Sequence, residues 1–129
     1  MDRPVVLAQQ TILNGKFPID EVYLDEIPAE ILKNDDLAKT QALLKEARNE
    51  PSGWGNETFT SLDIAVDIQI FYSLDFDENM TMFEVNLMKA FEQDGWRISN
   101  SQPHYLDTSS SSDMHQTIKN ITVSKNITL

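Results

Sequence analysis

Between residues 62 and 98 the spacing of apolar side chains changes twice, from every second position to about every 3.6 and back. Ile64, Val66, Ile68, Ile70 and Tyr72 alternate with Ala65, Asp67, Gln69, Phe71 and Ser73, which predicts a half-buried strand with the first set facing the core. Met80, Phe83, Leu87, Met88, Ala90 and Phe91 then fall on one helical stripe, so a helix is predicted over about 79–93. Asp75, Asp77 and Asn79 supply capping groups before it, and Gly95 stands just beyond its end. Trp96 and Ile98 open the next strand.

The flanks are less regular. Asp2, Arg3 and Pro4 read as a helix opening, with Asp2 as the cap and Pro4 near the first helical position. Val5, Ala8 and Ile12, widened by Val6 and Leu13, give one apolar face over about 3–14, which Asn14 and Gly15 stop. Residues 19–27 alternate loosely toward Pro28 and predict a strand; 29–38 is a polar loop. Residues 40–50 are in conflict. Their Ala, Leu, Lys, Glu, Gln and Arg favour a helix, yet Pro51, Gly53 and Gly55 cut the segment short. Residues 49–58 form a turn cluster that carries one large aromatic, Trp54. Residues 107–113 suit a polar hairpin tip, and 114–125 a last strand with Thr117, Lys119, Ile121 and Val123 on one face. The order α-β-β-β-α-β-β predicts an α+β fold, a mostly antiparallel sheet with two helices packed on one face, as a single domain over 1–129.

Charge narrows the function classes. The chain carries 21 acidic and 10 basic residues, a net −11, with Arg only at 3, 48 and 97. Tight binding to DNA or anionic lipid draws on clustered Lys and Arg, so sequence-specific nucleic-acid binding is disfavoured. The chain has no cysteine, which removes disulfides, thiolate metal sites and Cys nucleophiles. The N-terminus lacks a signal-peptide pattern, and no apolar run reaches the roughly 18 residues of a membrane span. A protein made and kept in a cytoplasm is expected.

Few residues suggest chemistry. Residues 75–79, DFDEN, start like a calcium loop, but Met80 and Asn86 stand where that loop needs Gly and Glu, so capping explains them better. His104 and His115 flank the polar loop and are placed to face each other across a hairpin, without the third ligand a metal site needs. No phosphate-binding Gly loop or nucleophile–base spacing occurs, so neither catalysis nor a cofactor is indicated. Trp54, on its Gly-rich loop with Asn56 and Phe59 nearby, is either a lid folded onto the core or an interface anchor. Met82 and Val85 fall off the main helical stripe and offer a minor apolar face to a neighbour.

Several blocks carry a resemblance: Asp67 to Tyr72, Asp75 to Asp77, Phe83 and Glu84, Leu87 to Lys89, and Gly95 to Ile98, with VYLDEIP at 22–28 and EPSGWGNETF at 50–59. Together they resemble an uncharacterised family of tail-region proteins from siphophages and prophages of lactic-acid bacteria and relatives. That family is similar in size and element order to tail terminator proteins. The resemblance implies a strand within 40–48 and a virion protein of the tail or neck, assembled in the host bacterial cytoplasm. It implies a homo-hexameric ring that caps the tail tube and contacts the major tail protein and the head–tail connector. DNA would pass through without specific binding, and no membrane is involved. Trp54, Asn56, Phe59, Met82, Val85, His104 and His115 are the candidate interface residues. The alternatives are a tail completion or assembly factor outside the ring, an enzyme of unrecognised class, and a DNA-mimicking inhibitor, the last opposed by the scattered acids.

Overall fold

The structure is a computed structural model and describes residues 1–28, 38–108 and 115–129. The predicted loop at 29–38 lies outside the described residues except for Ala38, as do most of the predicted tip at 107–113 and Met114. Helix α1 (Pro4–Gly15) begins with Pro4 in its first turn, where a missing N–H is no loss. Arg3, not Asp2, is the N-cap residue, and no side chain caps this helix. Asp2 instead accepts a bond from Gln10 Nε2 at 3.4 Å, while Arg3 forks onto both oxygens of Asp25 at 2.8 and 2.9 Å. That pairing lowers the Asp25 carboxyl below its usual range, chiefly through the side-chain hydrogen bond from Arg3.

Strand β1 (Glu21–Leu24) runs parallel to the start of β2 (Gln41–Gly55). β2 folds back antiparallel into β3 (Thr58–Phe71), so the 40–50 conflict resolves as strand. Ala42 and Leu44 are fully buried and oppose Ile70 and Ile68. Pairing on both sides overrides their helix propensity. The turn cluster at 49–58 shrinks accordingly: β2 continues through Pro51 and Gly53 to Gly55, and only Asn56 and Glu57 make the turn. Their φ values of 51° and 69° are those of a type I′ turn, whose twist matches the flanking strands. Beyond Leu44 the outer edge of β2 pairs with no strand among the described residues. Pro51, which has no N–H to contribute, sits on that stretch.

Helix α2 (Met80–Gln93) is capped by Asn79, whose side chain accepts from the Met82 N–H at 2.9 Å; Asp75 and Asp77 do not cap. It ends in a Schellman motif: Gly95 at φ +89° lets the Trp96 N–H reach the Phe91 carbonyl at 2.9 Å. Strands β4 (Arg97–Ser101) and β5 (Tyr105–Leu106) then pair in succession along β6 (Thr117–Thr128). The six-stranded sheet has the order β1-β2-β3-β6-β4, with β5 also on β6, and every pairing except β1–β2 is antiparallel. This is the α+β fold expected.

Val5, Ala8 and Ile12 of α1 and Phe83, Leu87 and Phe91 of α2 join Leu44, Ile64, Val66, Ile68, Ile70, Tyr72, Ile121 and Val123 in one core. Both helices therefore cover the same face. The predicted core side of β3 is correct, with Ile64 to Tyr72 all at 2% exposure or less.

Candidate interface surfaces

Three surfaces stand clear of the core. The first is the far end of the β2–β3 hairpin. β2 is exposed or only half-buried from Lys45 to Gly55, and β3 is exposed from Thr58 to Thr60. Trp54 is 74% exposed and Phe59 38%, so Trp54 is no lid on the core. The two are cross-strand partners and meet edge to face, ring centroids 6.1 Å apart. Asn56 is beside them, its left-handed backbone forming the turn. Gly53 is needed close by: at φ +62°, a Cβ there would lie 2.7 Å from Thr60 Oγ1. Thr60 Oγ1 also donates to the Gly53 carbonyl at 2.8 Å and so holds the tip in register.

The second surface is the sheet face away from the helices. It presents a polar lattice rather than an apolar patch. Asp67 accepts from Thr122 Oγ1 at 2.6 Å, and Asp63 accepts from Asn126 Nδ2 at 2.6 Å. Gln69 and Asn120 both donate to the Tyr105 hydroxyl, at 3.1 and 3.0 Å. A depression of ≈ 250 Å³ here is lined by Leu43, Lys45, Asp67, Gln69 and neighbours from β6.

The third is α2. Met82 is 53% exposed and borders a groove of ≈ 160 Å³ with Phe17, Pro18 and Phe83, whereas Val85 is half-buried and does not line it.

His104 and His115 do not face each other. Tyr105 pairs with Ile118 and Leu106 with Thr117, and the Asp107 N–H bonds the Gln116 carbonyl, so His115 lies farther toward the loop. His104 reaches back to α2, where its Nε2 is 2.6 Å from Glu84 Oε2. Tyr72 donates its hydroxyl to the same oxygen. Glu84 is only 4% exposed, which makes it a buried carboxylate held by a phenol and an imidazole. Burial, and then donation to Glu84, push the Tyr72 phenol far above its ordinary value. The trio pins α2 to the end of β3 and to the β4–β5 connection, and the cavities described above are lined by other residues. His115 Nδ1 is buried with no hydrogen-bond partner among the described residues. Among the described residues no three His, Asp or Glu side chains group as a metal site would require, and no helix is long and apolar enough to cross a membrane.

Glu84 was the residue that sequence reasoning missed. The signal was present: it lies four residues after Met80 and three before Leu87, on the apolar stripe itself.

What the fold and these surfaces define is an α+β protein with a bare sheet face and an aromatic-tipped hairpin. Residues 2–128 match the model of the family described as "Protein of unknown function (DUF806)", and the chain belongs to that family. A search of curated proteins finds no match.

Proposed function

We propose that this chain is a structural protein of a siphophage or prophage tail or neck, a tail terminator whose copies close into a hexameric ring. The ring caps the tail tube, meets the major tail protein on one side and the head–tail connector on the other, and stays in the virion after assembly in the host cytoplasm. The observation that carries this reading is the β2–β3 hairpin, whose solvent-exposed end holds the Trp54–Phe59 pair clear of the core. Aromatic anchors on a rigid two-stranded arm suit a contact made with another subunit. A head-to-tail contact that closes on rotation gives a ring. The family blocks named in the sequence support the tail assignment, and the net charge of −11 suits a lumen through which DNA slides without sticking. A tail completion factor outside the ring is the second reading, since the same hairpin serves a transient contact equally well.

Electron microscopy of the purified protein mixed with uncapped tail tubes tests this. The terminator reading expects hexameric rings seated on tube ends, and Trp54→Ala should abolish them while leaving the melting temperature within a few degrees. A protein that never caps tubes and is absent from purified virions would sink it. If Trp54→Ala melts the monomer, the interface role of Trp54 falls.

A further inference from the structure

We infer that Arg48 and Arg97 form a cationic trough on the open sheet face, and that it receives the acidic loop between β3 and α2 of a second copy of this chain. The inference rests on the reading that copies of the chain assemble head to tail. It names a second contact between them, beside the one made by the hairpin tip.

The trough follows from the strand register. Arg48 on β2 opposes Ala65 on β3, Ala65 opposes Ser124 on β6, and Ser124 opposes Arg97 on β4. Cross-strand partners point to the same face, so these residues form one row across the sheet, with small side chains between two arginines. The arginine Cα atoms are three strand spacings apart, about 14 Å. Both line one cavity of ≈ 430 Å³ together with Asp63, Ser124 and Asn126.

Neither guanidinium makes a hydrogen bond or ion pair among the described residues, in contrast to Arg3, which is fully engaged by Asp25. Of the acids on this face, Asp63 is held by Asn126 and Asp67 by Thr122, both neutral donors, and Glu50, two residues along β2 from Arg48, does not line the cavity. In a chain of net charge −11, two of three arginines are thus left unpaired on one face.

The complementary surface is the loop that the sequence marked as DFDEN. Only Asn79 is used as a cap, which leaves Asp75, Asp77 and Glu78 exposed, with no bonding partner among the described residues. This loop follows the end of β3 at Phe71, whereas the trough crosses β3 at Ala65, six residues back or about 20 Å along the strand. A copy therefore does not fill its own trough, and the contact joins unlike surfaces of neighbouring copies, the kind that closes rings. Net charge alone makes two copies of this acidic chain repel each other at a distance. The trough is where approach becomes favourable, and it sets the register of the contact.

A charge-swap experiment tests this by sedimentation of the purified full chain. Arg48→Glu with Arg97→Glu, and separately Asp75→Lys with Asp77→Lys, should each weaken self-association at least about tenfold. Melting curves confirm folding, and Arg48→Ala with Arg97→Ala gives a milder second reading. Mixing the two reversed proteins in equal amounts should restore association, because each loop then finds a trough of opposite sign. Failure of the mixture to associate, or undiminished association of either reversed protein alone, overturns the proposal. So does an unmodified chain that remains monomeric at all concentrations, although tube capping could still succeed. Restoration in the mixture without tube capping keeps the contact and discards the tail reading. If the alanine variant instead loses binding to a duplex DNA oligonucleotide and keeps self-association, the trough holds phosphate, and the proposal falls.

Discussion

The two faces of one sheet obey different rules here. On the helix side, Ile64, Val66, Ile68 and Ile70 pack against Val5, Ala8, Leu87 and Phe91, and the buried acid, Glu84, is satisfied by two partners. On the other side Asp63, Asp67, Gln69 and Asn120 bond to hydroxyls and amides of adjacent strands. The first face holds the fold together through burial. The second spends little of its surface on stability and keeps its charge and hydrogen-bonding capacity for contact. The open sheet face is polar in detail and offers no broad apolar patch, with the exposed aromatics confined to the hairpin tip and to Tyr105 beside β6.

Substitutions should separate the faces by size of effect. Phe91→Ala, at a position 1% exposed against Trp96, should cost about 3–5 kcal/mol by opening a cavity, read as a large drop in melting temperature. A smaller loss would mean that α2 covers its face loosely.

Next in size is the response to alkali. The Tyr72 phenol has its pKa raised above the ordinary 10.0, so its contribution is complete below about pH 10 and is lost as pH climbs toward the folded value, because only the unfolded chain ionises freely. Urea denaturation at rising pH should show this decline, and Tyr72→Phe should remove much of it at the cost of about 1 kcal/mol near neutrality. An unchanged alkaline slope in the Phe variant would show that Tyr72 is not the group responsible.

Thr122→Val on the open face should shift stability by less than about 0.5 kcal/mol despite losing the 2.6 Å bond to Asp67. A loss as large as that of Phe91→Ala would erase the contrast between the faces.

The covered face was the legible one. Strict alternation from Ile64 to Tyr72, the stripe from Met80 to Phe91 and the Gly95 stop each state their structure locally, and each is present as read. Residues 41–46 are not legible from their own pattern, because their strand state comes from partners 20 or more positions away: β1 on one edge of 41–44, β3 on the other. Pro51 and Gly53 suggest a wider turn than forms, since they sit inside a strand whose outer edge pairs with no other strand among the described residues. Asp2 yields the N-cap position to Arg3, and Glu84, although it lies on the apolar stripe, shows its buried role only once Tyr72 and His104 are placed over it. Of the candidate interface residues, Trp54, Asn56 and Phe59 do cluster, Met82 and Val85 only partly share a surface, and the two histidines go separate ways. Arg48 and Arg97 could not have been linked from sequence, because a register across four strands brings them into one row.

Beyond Leu44 the outer edge of β2 has no strand partner among the described residues, and this bears on how copies avoid joining edge to edge. A bare strand margin is an open invitation to add a stranger's strand, and chains that accept it grow into fibres. Here that margin carries Lys45, Glu46, Arg48 and Glu50, a register shift between Glu46 and Arg48, and then Pro51. Like charges stacked in register and a missing N–H make lateral growth unfavourable, so copies that meet are left with their faces and tips as places to join.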